Sequence, residues 1–555
     1  MPCQIEVGSG TARATSYHDL INKIVSFRTS RNVATVVINN GGTGGTYVIG
    51  DIVELTHAGA HLDAKFEVLT VSAGQILTMR IHSNGAFGDR VNGSVTISAG
   101  GTGYAVGDII EFDSGSSRCP AKVQVDTLSG SAVATASLFE DLGTGGGGVY
   151  SSLPSYPTAT TAVGPNGVSG TGCTITMGGS TGIIGTTGLA VTGGGGTGAT
   201  VDITLAETGW TVDGRNTNDR SINSVLNEKS VVLVGDAAGW TNKPFTALLS
   251  GTATSGLDTR FAVLSMALVA HNPALDLSSH TGRSPGLTDE TTFADGGSYI
   301  ICSEDTGAGT DEMDFWMKAD DLHFSMLTQL DEAAAVSDNG IYIQHYAGLL
   351  NRIGTETESP YPIYTFGSSR AINIDPTVGS DHVTSLTENR MISSGCGWAW
   401  DNGEQVYKNI QNDNASGTPT FEEIICTPCG RPRVEIGATA DKVVAIGSIQ
   451  MSLSVFELDR GSTVLVLRKI PGTVDEFFLW PLTLRKQESS TPDAASDQLY
   501  GQLRGVFWVE SDDGTGSRIV NFSEDYITVN GDRYLVFHNH THTNAYQYIA
   551  WKWDT

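Results

Sequence analysis

The sequence predicts an all-β protein: Gly-rich β-repeat modules, then two antiparallel β-sandwich, jelly-roll-like domains, with one short helix near the N-terminus. Three observations carry that expectation. The chain holds 68 Gly in 555 residues, concentrated with Thr, Val and Ser before about residue 206. A Gly-Asp motif recurs there with its flanking apolar residues. Beyond residue 207, short apolar runs alternate with Gly, Pro and Asn turns at a spacing that suits strands rather than helices.

Residues 1–32 hold the helical signal. Ser16 can cap a segment in which Tyr17, Leu20, Ile21, Ile24 and Val25 recur at three- and four-residue spacing, and Asp19 falls in the first turn. The spacing predicts a helix over 17–27. It either packs on its own domain or serves as a docking arm, with Tyr17, Leu20, Ile21 and Ile24 as the partner-binding residues. On the docking reading, a chain lacking residues 1–30 stays folded and soluble but loses assembly.

Residues 33–206 carry an internal repeat. Asn40-Gly41-Gly42-Thr43-Gly44, then Tyr47-Val48-Ile49-Gly50-Asp51-Ile52, is echoed by Ala99-Gly100-Gly101-Thr102-Gly103-Tyr104-Ala105-Val106-Gly107-Asp108-Ile109, about 57 to 59 residues on. Each copy runs into an alternating strand, Lys65 to Val71 and Ala121 to Asp126. A third, degenerate copy is suggested by Gly193 to Gly198 followed by Ala199 to Leu205. A phosphate cradle needs a helix after its glycines, whereas strands follow these, so the glycines read as turn residues. The Gly-, Ser- and Thr-rich stretch 143–198 is expected as extended loop draped on a neighbour or as very short strands.

Residues 207–370 form the first expected sandwich. Val231 to Val234, Phe261 to Leu264, Phe315-Trp316, His323 to Thr328 and Tyr342 to Leu350 read as its strands. Residues 371–555 form the second, ending in a hairpin of Tyr534 to Phe537 with Tyr546 to Trp553 that places Ile549, Trp551 and Trp553 on one face.

Composition narrows the function classes. With 32 Lys+Arg against 60 Asp+Glu the formal charge is −28, which opposes binding to a polyanion, so no nucleic acid is expected. No apolar run approaches the roughly 20 residues of a membrane-spanning helix, and the N-terminus has no signal-peptide pattern; neither membrane insertion nor secretion by a leader is expected. The seven Cys are sparse and mostly isolated, in keeping with a chain made reduced in a cytosol.

No convincing catalytic residue and no cofactor motif emerge. Cys426 and Cys429 have a CxxC spacing open to three readings: turn cysteines, a disulfide, or half of a metal site. His538, His540 and His542 are two apart, so on a strand they project from one face, where they hold a metal or merely tip a hairpin. The acidic clusters, Asp320-Asp321 among them, read as solvated turns. Trp398 and Trp400 beside Asp401 alternate onto one strand face and either stack on a glycan or fill a sandwich core.

The Gly-Gly-x-Gly-Tyr-x-x-Gly-Asp repeat with its alternating strands resembles modules of tailed-bacteriophage virion proteins, especially tail, baseplate and neck-associated components. The series Trp210, Leu226 to Gly235, Phe315-Trp316, Tyr346 to Leu350, Tyr361-Pro362, Gly367-Ser368 and Gly531 to Phe537 is similar to such proteins in its order. The resemblance implies a non-enzymatic part of the particle, a symmetric homo-oligomer in a baseplate, tail tip, neck or collar. Its partners would be other virion proteins and copies of itself, and its place the virion, after synthesis in the host cytoplasm. The alternative is a receptor- or carbohydrate-binding tail protein, with or without glycan-degrading activity, whose partner is a host surface glycan. On either reading the −28 charge suggests a subunit held apart until its partner surface is present.

Overall fold

The computed structural model describes residues 3–7, 17–43, 45–57, 59–139, 147–164, 170–182 and 185–212, and thereafter 229–235, 245–250, 262–267, 298–300, 315–329, 342–352, 354–355, 363–366, 397–401, 406–410, 424–428, 479–486, 498–510, 525–538 and 547–553. Strands in antiparallel sheets make up nearly all of it, with a single helix among the described residues. The fold is all-β, as the alternation predicts. Two compact units form: Met1–Ala262 with Val269–Thr281 and Trp316–Leu322, and Val263–Leu268 with Gly282–Phe315 and His323–Thr555.

The first unit opens with α1 (Tyr17–Thr29), two residues longer than the spacing predicts. Its principal strands are β1 (Arg31–Gly41), β2 (Ile52–Leu55), β3 (Ala64–Ser72), β4 (Gln75–Ser83), β5 (Arg90–Thr102), β6 (Ile109–Phe112), β7 (Lys122–Ser129), β8 (Ala132–Leu138), β9 (Thr158–Gly164), β10 (Thr171–Thr181) and β11 (Ala199–Glu207). They build two modules, one nested in the other. In the outer module β1 pairs antiparallel with β11, and β2, β3 and β4 pair in series. In the inner module β5 pairs with β10, and β9, β6, β7 and β8 pair in series. Each has its own apolar core: Val53, Phe66, Val68 and Val201 in the outer, and Ile110, Val123, Val125 and Ile175 in the inner.

The repeat holds down to single hydrogen bonds. Gly50 and Gly107 take φ of 91° and 89°, the left-handed region that favours Gly. The carboxylate after each closes the turn: Val48 N donates to Asp51 Oδ2 at 2.9 Å, and Ala105 N to Asp108 Oδ2 at 2.7 Å. Gly50 N donates to the Val68 carbonyl and Gly107 N to that of Val125. Further along, Thr70 and Thr78 bond across β3 and β4 through their hydroxyls at 2.6 Å, as do Thr127 and Thr135 across β7 and β8.

Two expectations for this region need correction. Residues 193–205 are not a third module; Ala199 to Glu207 is the strand that returns to β1 and closes the outer module. Its counterpart is Thr171 to Met177, which closes the inner module against β5, and the two share a Gly-Thr-Gly lead, Gly170-Thr171-Gly172 and Gly196-Thr197-Gly198. In 143–198 the described residues follow the strand alternative rather than the draped loop, but β9 and the 11-residue β10 are full members of the inner ladder rather than very short strands. Tyrosine packing explains the glycine richness here. A Cβ at Gly196 would lie 2.2 Å from the Tyr47 ring, and one at Gly170 2.2 Å from the Tyr104 ring. Both rings are buried under these glycines.

The unit is completed by β12 (Trp210–Val212), β13 (Lys229–Gly235) and β14 (Phe245–Ser250), paired in that order. Helix α1 packs against β12 and β14, with Val25, Phe27 and Arg28 fully buried. The Arg28 guanidinium lies 3.6 Å over the Trp210 ring, and the Thr208 hydroxyl donates to the Arg28 carbonyl. Trp210 Nε1 donates to the carbonyl of Asp320, whose own Oδ1 accepts from Leu322 N at 2.8 Å. Asp320 is therefore a buried turn-closing residue rather than a solvated one.

The second unit holds β15 (His323–Gln329), β16 (Tyr342–Leu349), β17 (Ile363–Phe366), β18 (Gly397–Asp401) and β19 (Val406–Ile410), paired in that order. A further sheet runs through β20 (Ile424–Pro428), β21 (Leu479–Lys486) and β22 (Gln498–Glu510), then β25 (Gln547–Lys552), β24 (Asp532–His538) and β23 (Asp525–Val529). The closing hairpin stands where the alternation puts it: Leu535 faces Trp551 across the β24–β25 register, and Trp551 and Trp553 are fully buried. Tyr346 ties the two sheets, its hydroxyl donating to Leu349 O at 3.0 Å and accepting from Arg504 N at 3.3 Å.

Candidate functional site

The first unit contains a cavity of about 430 Å³ at the end of the nested modules. Thr29 at the end of α1, Arg31 at the start of β1, Glu207 at the end of β11, Thr211 in β12 and Gly235 at the end of β13 line one side. The other side comes from the short antiparallel pair Ser116–Cys119 and Val149–Ser152, with Phe87 and Tyr150 beneath. Tyr150 is anchored by accepting from Ala121 N at 2.8 Å, and burial pushes its phenol well above the usual range.

Charge in the cavity is unevenly matched. Arg118 donates from Nε to Glu207 Oε2 at 2.8 Å and from Nη2 to the same oxygen, while its Nη1 reaches the Trp210 carbonyl and Thr211 Oγ1 at 3.4 Å each. That guanidinium is compensated. Half-buried Arg31 has its Nε shut off from solvent and without a hydrogen-bond partner among the described residues. Among the described lining residues, Arg118 is the guanidinium held by a carboxylate.

Three of its hydroxyls are committed as donors, and Ser117 Oγ also accepts from Cys119 N at 3.0 Å. Thr29 Oγ1 donates to Val25 O at 2.8 Å, Ser117 Oγ to Val149 O at 2.7 Å, and Ser151 Oγ to Ser116 O at 3.2 Å. A hydroxyl has one hydrogen and two lone pairs. Once the hydrogen is used, what remains for a ligand is acceptor capacity.

The residues singled out in the sequence lie elsewhere. Leu20 and Ile24 have no exposed surface and are packed against the chain's own first unit, so at those positions the helix has no free face for a partner. Tyr17 and Ile21 are on α1, but their side chains lie outside the described residues. Trp398, Trp400 and Asp401 are on β18, and Cys426 is on β20, again with side chains outside them. His538 ends β24 opposite Tyr548, while His540, His542 and Cys429 fall outside the described residues. Among the described residues no three His, Cys, Asp or Glu side chains gather to hold a metal ion. Cys119 and Cys173 are buried and in no disulfide.

The cavity itself has no legible signal in the sequence, because its described lining residues are spread from Thr29 to Gly235 over eight secondary-structure elements and form no spacing motif. Two acid-base features also escape the sequence. Burial pushes His61 down to about 4, helped by the Arg90 charge. Burial and the neighbouring Glu54 carboxylate push Asp63 up to about 6.

No family model matches the chain, and no curated protein matches it in sequence.

Proposed function

We propose that the chain is a non-enzymatic structural component of a tailed-bacteriophage particle, in a baseplate, tail tip, neck or collar, working as a symmetric homo-oligomer with other virion proteins as neighbours. The observation that supports this most is the duplicated Gly-rich module with matched exposed apolar tips. Ile49 and Val106 hold equivalent positions in the two Gly-Asp turns and are 66 % and 58 % exposed. Apolar residues repeated at rigid turn tips suit a subunit that makes the same contact more than once. The test is particle assembly with Ile49→Asp and Val106→Asp introduced together. The altered chain stays folded by circular dichroism and drops out of purified particles; incorporation at the normal level would sink the proposal.

A second reading, binding of a host surface glycan, is favoured by the polar cavity beside Arg31. Incubation with host polysaccharide separates the two, since a purely structural subunit retains none.

A further inference from the structure

We infer that the face of the outer module around Leu69 is the surface through which two copies of this chain associate. Such a contact presupposes the homo-oligomeric structural role proposed above and gives it a place on the molecule.

The duplicated module is its own comparison. The Thr70–Thr78 pair of β3 and β4 answers to Thr127–Thr135 of β7 and β8, which sets every equivalence in these hairpins. In the outer module Val48, Ile49, Ile52 and Leu77 are exposed, and half-buried Leu69 stands among them. The inner module has Ala105, Val106, Ile109 and Ala134 at the first four positions and an exposed Asp126 in place of Leu69. Ile109 is 2 % exposed against 39 % for Ile52, and β9 pairs alongside it there. The fold therefore does not demand an apolar face at these positions. Val106 is an isolated tip, whereas Ile49 is backed by a patch.

The ladder brings the five residues together. Ala64, Phe66 and Val68 of β3 lie in the core, so alternation puts Leu69 on the outer side with Lys65 and Glu67. The turn at 48–51 is bound to one flank of β3, Gly50 N donating to Val68 O and Val68 N to Asp51 O at 2.9 Å each. On the other flank Leu77 adjoins Thr78, the partner of Thr70. The two flanks are about 10 Å apart, or two strand spacings.

Charge selects the occupant. Arg80 forks onto Glu67, with Nε 3.2 Å from Oε2 and Nη2 3.1 Å from Oε1. Lys65 stands opposite Glu54 in the β2–β3 register, and Asp51 is turned back onto Val48 N. The face thus carries matched charges in a chain whose formal charge is −28. A basic partner would be drawn to the acidic remainder, while a second copy is repelled least at a face of this kind. About a two-fold axis the same patch serves both copies and covers itself.

The experiment is sedimentation equilibrium of the purified full chain from about 1 to about 100 µM, because a patch this small suits a weak dimer, with a constant on the order of 10 µM. A concentration-dependent monomer–dimer equilibrium is expected. Leu69→Asp with Leu77→Ala introduces residue types that the inner module already carries at Asp126 and Ala134, so the fold tolerates them, as circular dichroism checks. The pair weakens association about tenfold or more, and Leu69→Met retains it. A parent chain that stays single throughout the range, or a double variant that associates as the parent does, overturns the inference. If the double variant associates normally while Ile49→Asp with Val106→Asp still drops out of purified particles, the structural role stands and this face is not the contact between copies.

Discussion

Asp51 and Asp108 do the same job in unequal surroundings. Both close a turn by accepting the backbone N–H three residues back, but Asp108 is 1 % exposed whereas Asp51 is part-exposed. A hydrogen bond to a charged group is worth about 1.5–3 kcal/mol, and an exposed one less. Asp108→Ala should therefore destabilise by about 2 kcal/mol and Asp51→Ala by about half that, read from denaturant midpoints. Close packing sets a second contrast. Gly170→Ala and Gly196→Ala each push a methyl into a buried tyrosine ring, and overpacking of this kind costs about 1–3 kcal/mol. The Gly-Asp turn could be read from the chain because its φ demand selects Gly. The glycines over Tyr47 and Tyr104 could not, because their partner is more than sixty residues away.

Helix α1 shows where element-scale reading succeeds and fails. Its existence follows from spacing alone, but spacing does not say what the apolar face meets. Phe27, Ile24 and Leu20 are all fully buried, and Arg28 is stacked on Trp210. Replacing a buried residue of this size by Ala costs about 2–5 kcal/mol. Ile24→Ala should lower the melting temperature of the first unit by several degrees. Deleting residues 1–30 should unfold or aggregate that unit rather than leave it intact, the reverse of what a docking arm would give; a soluble, cooperative melt of the truncated chain is the contrary result. The strands of the modules were legible wherever one face is wet, since alternation then appears. Strand β11 misleads in the sequence because its Gly-Thr-Gly lead looks like the start of a module, and its pairing with β1 identifies it as an end.

At the scale of the molecule, acid stability follows from buried imidazoles. His345 is pushed down to about 3 by burial, and His61 to about 4, both from an ordinary value of 6.5. Each is neutral in the folded state, so its contribution is complete above pH 6.5 and is lost as pH falls through the depressed value. Asp63 runs the other way: raised from 3.8 to about 6, its contribution is complete below pH 3.8 and lost as pH rises through 6. Between pH 6 and 4 the first unit thus loses on His61 while regaining on Asp63, and the fall in its stability is shallow. Asp63→Asn should steepen that fall in a pH series of thermal melts, and His345→Gln should flatten the acid dependence of the second unit. The −28 charge adds a separate expectation, that salt of about 0.5 M promotes self-association by screening repulsion; unchanged mass in light scattering would remove charge as the brake. The all-β class was legible from composition and alternation. The nesting was not, because two copies in sequence do not say which closes first.

Nesting gives the chain a timetable. As residues leave the ribosome, β5 through β10 supply every main ladder of the inner module, which can finish while synthesis continues. The outer module waits with β1 unpaired on its β11 side, since Thr35 meets Thr204 only 169 residues later. A strand edge held open that long invites the wrong neighbour, and closing so large a loop is slow. Pulse-labelled amide exchange during refolding should accordingly protect Cys173 to Met177 before Val201 to Leu205.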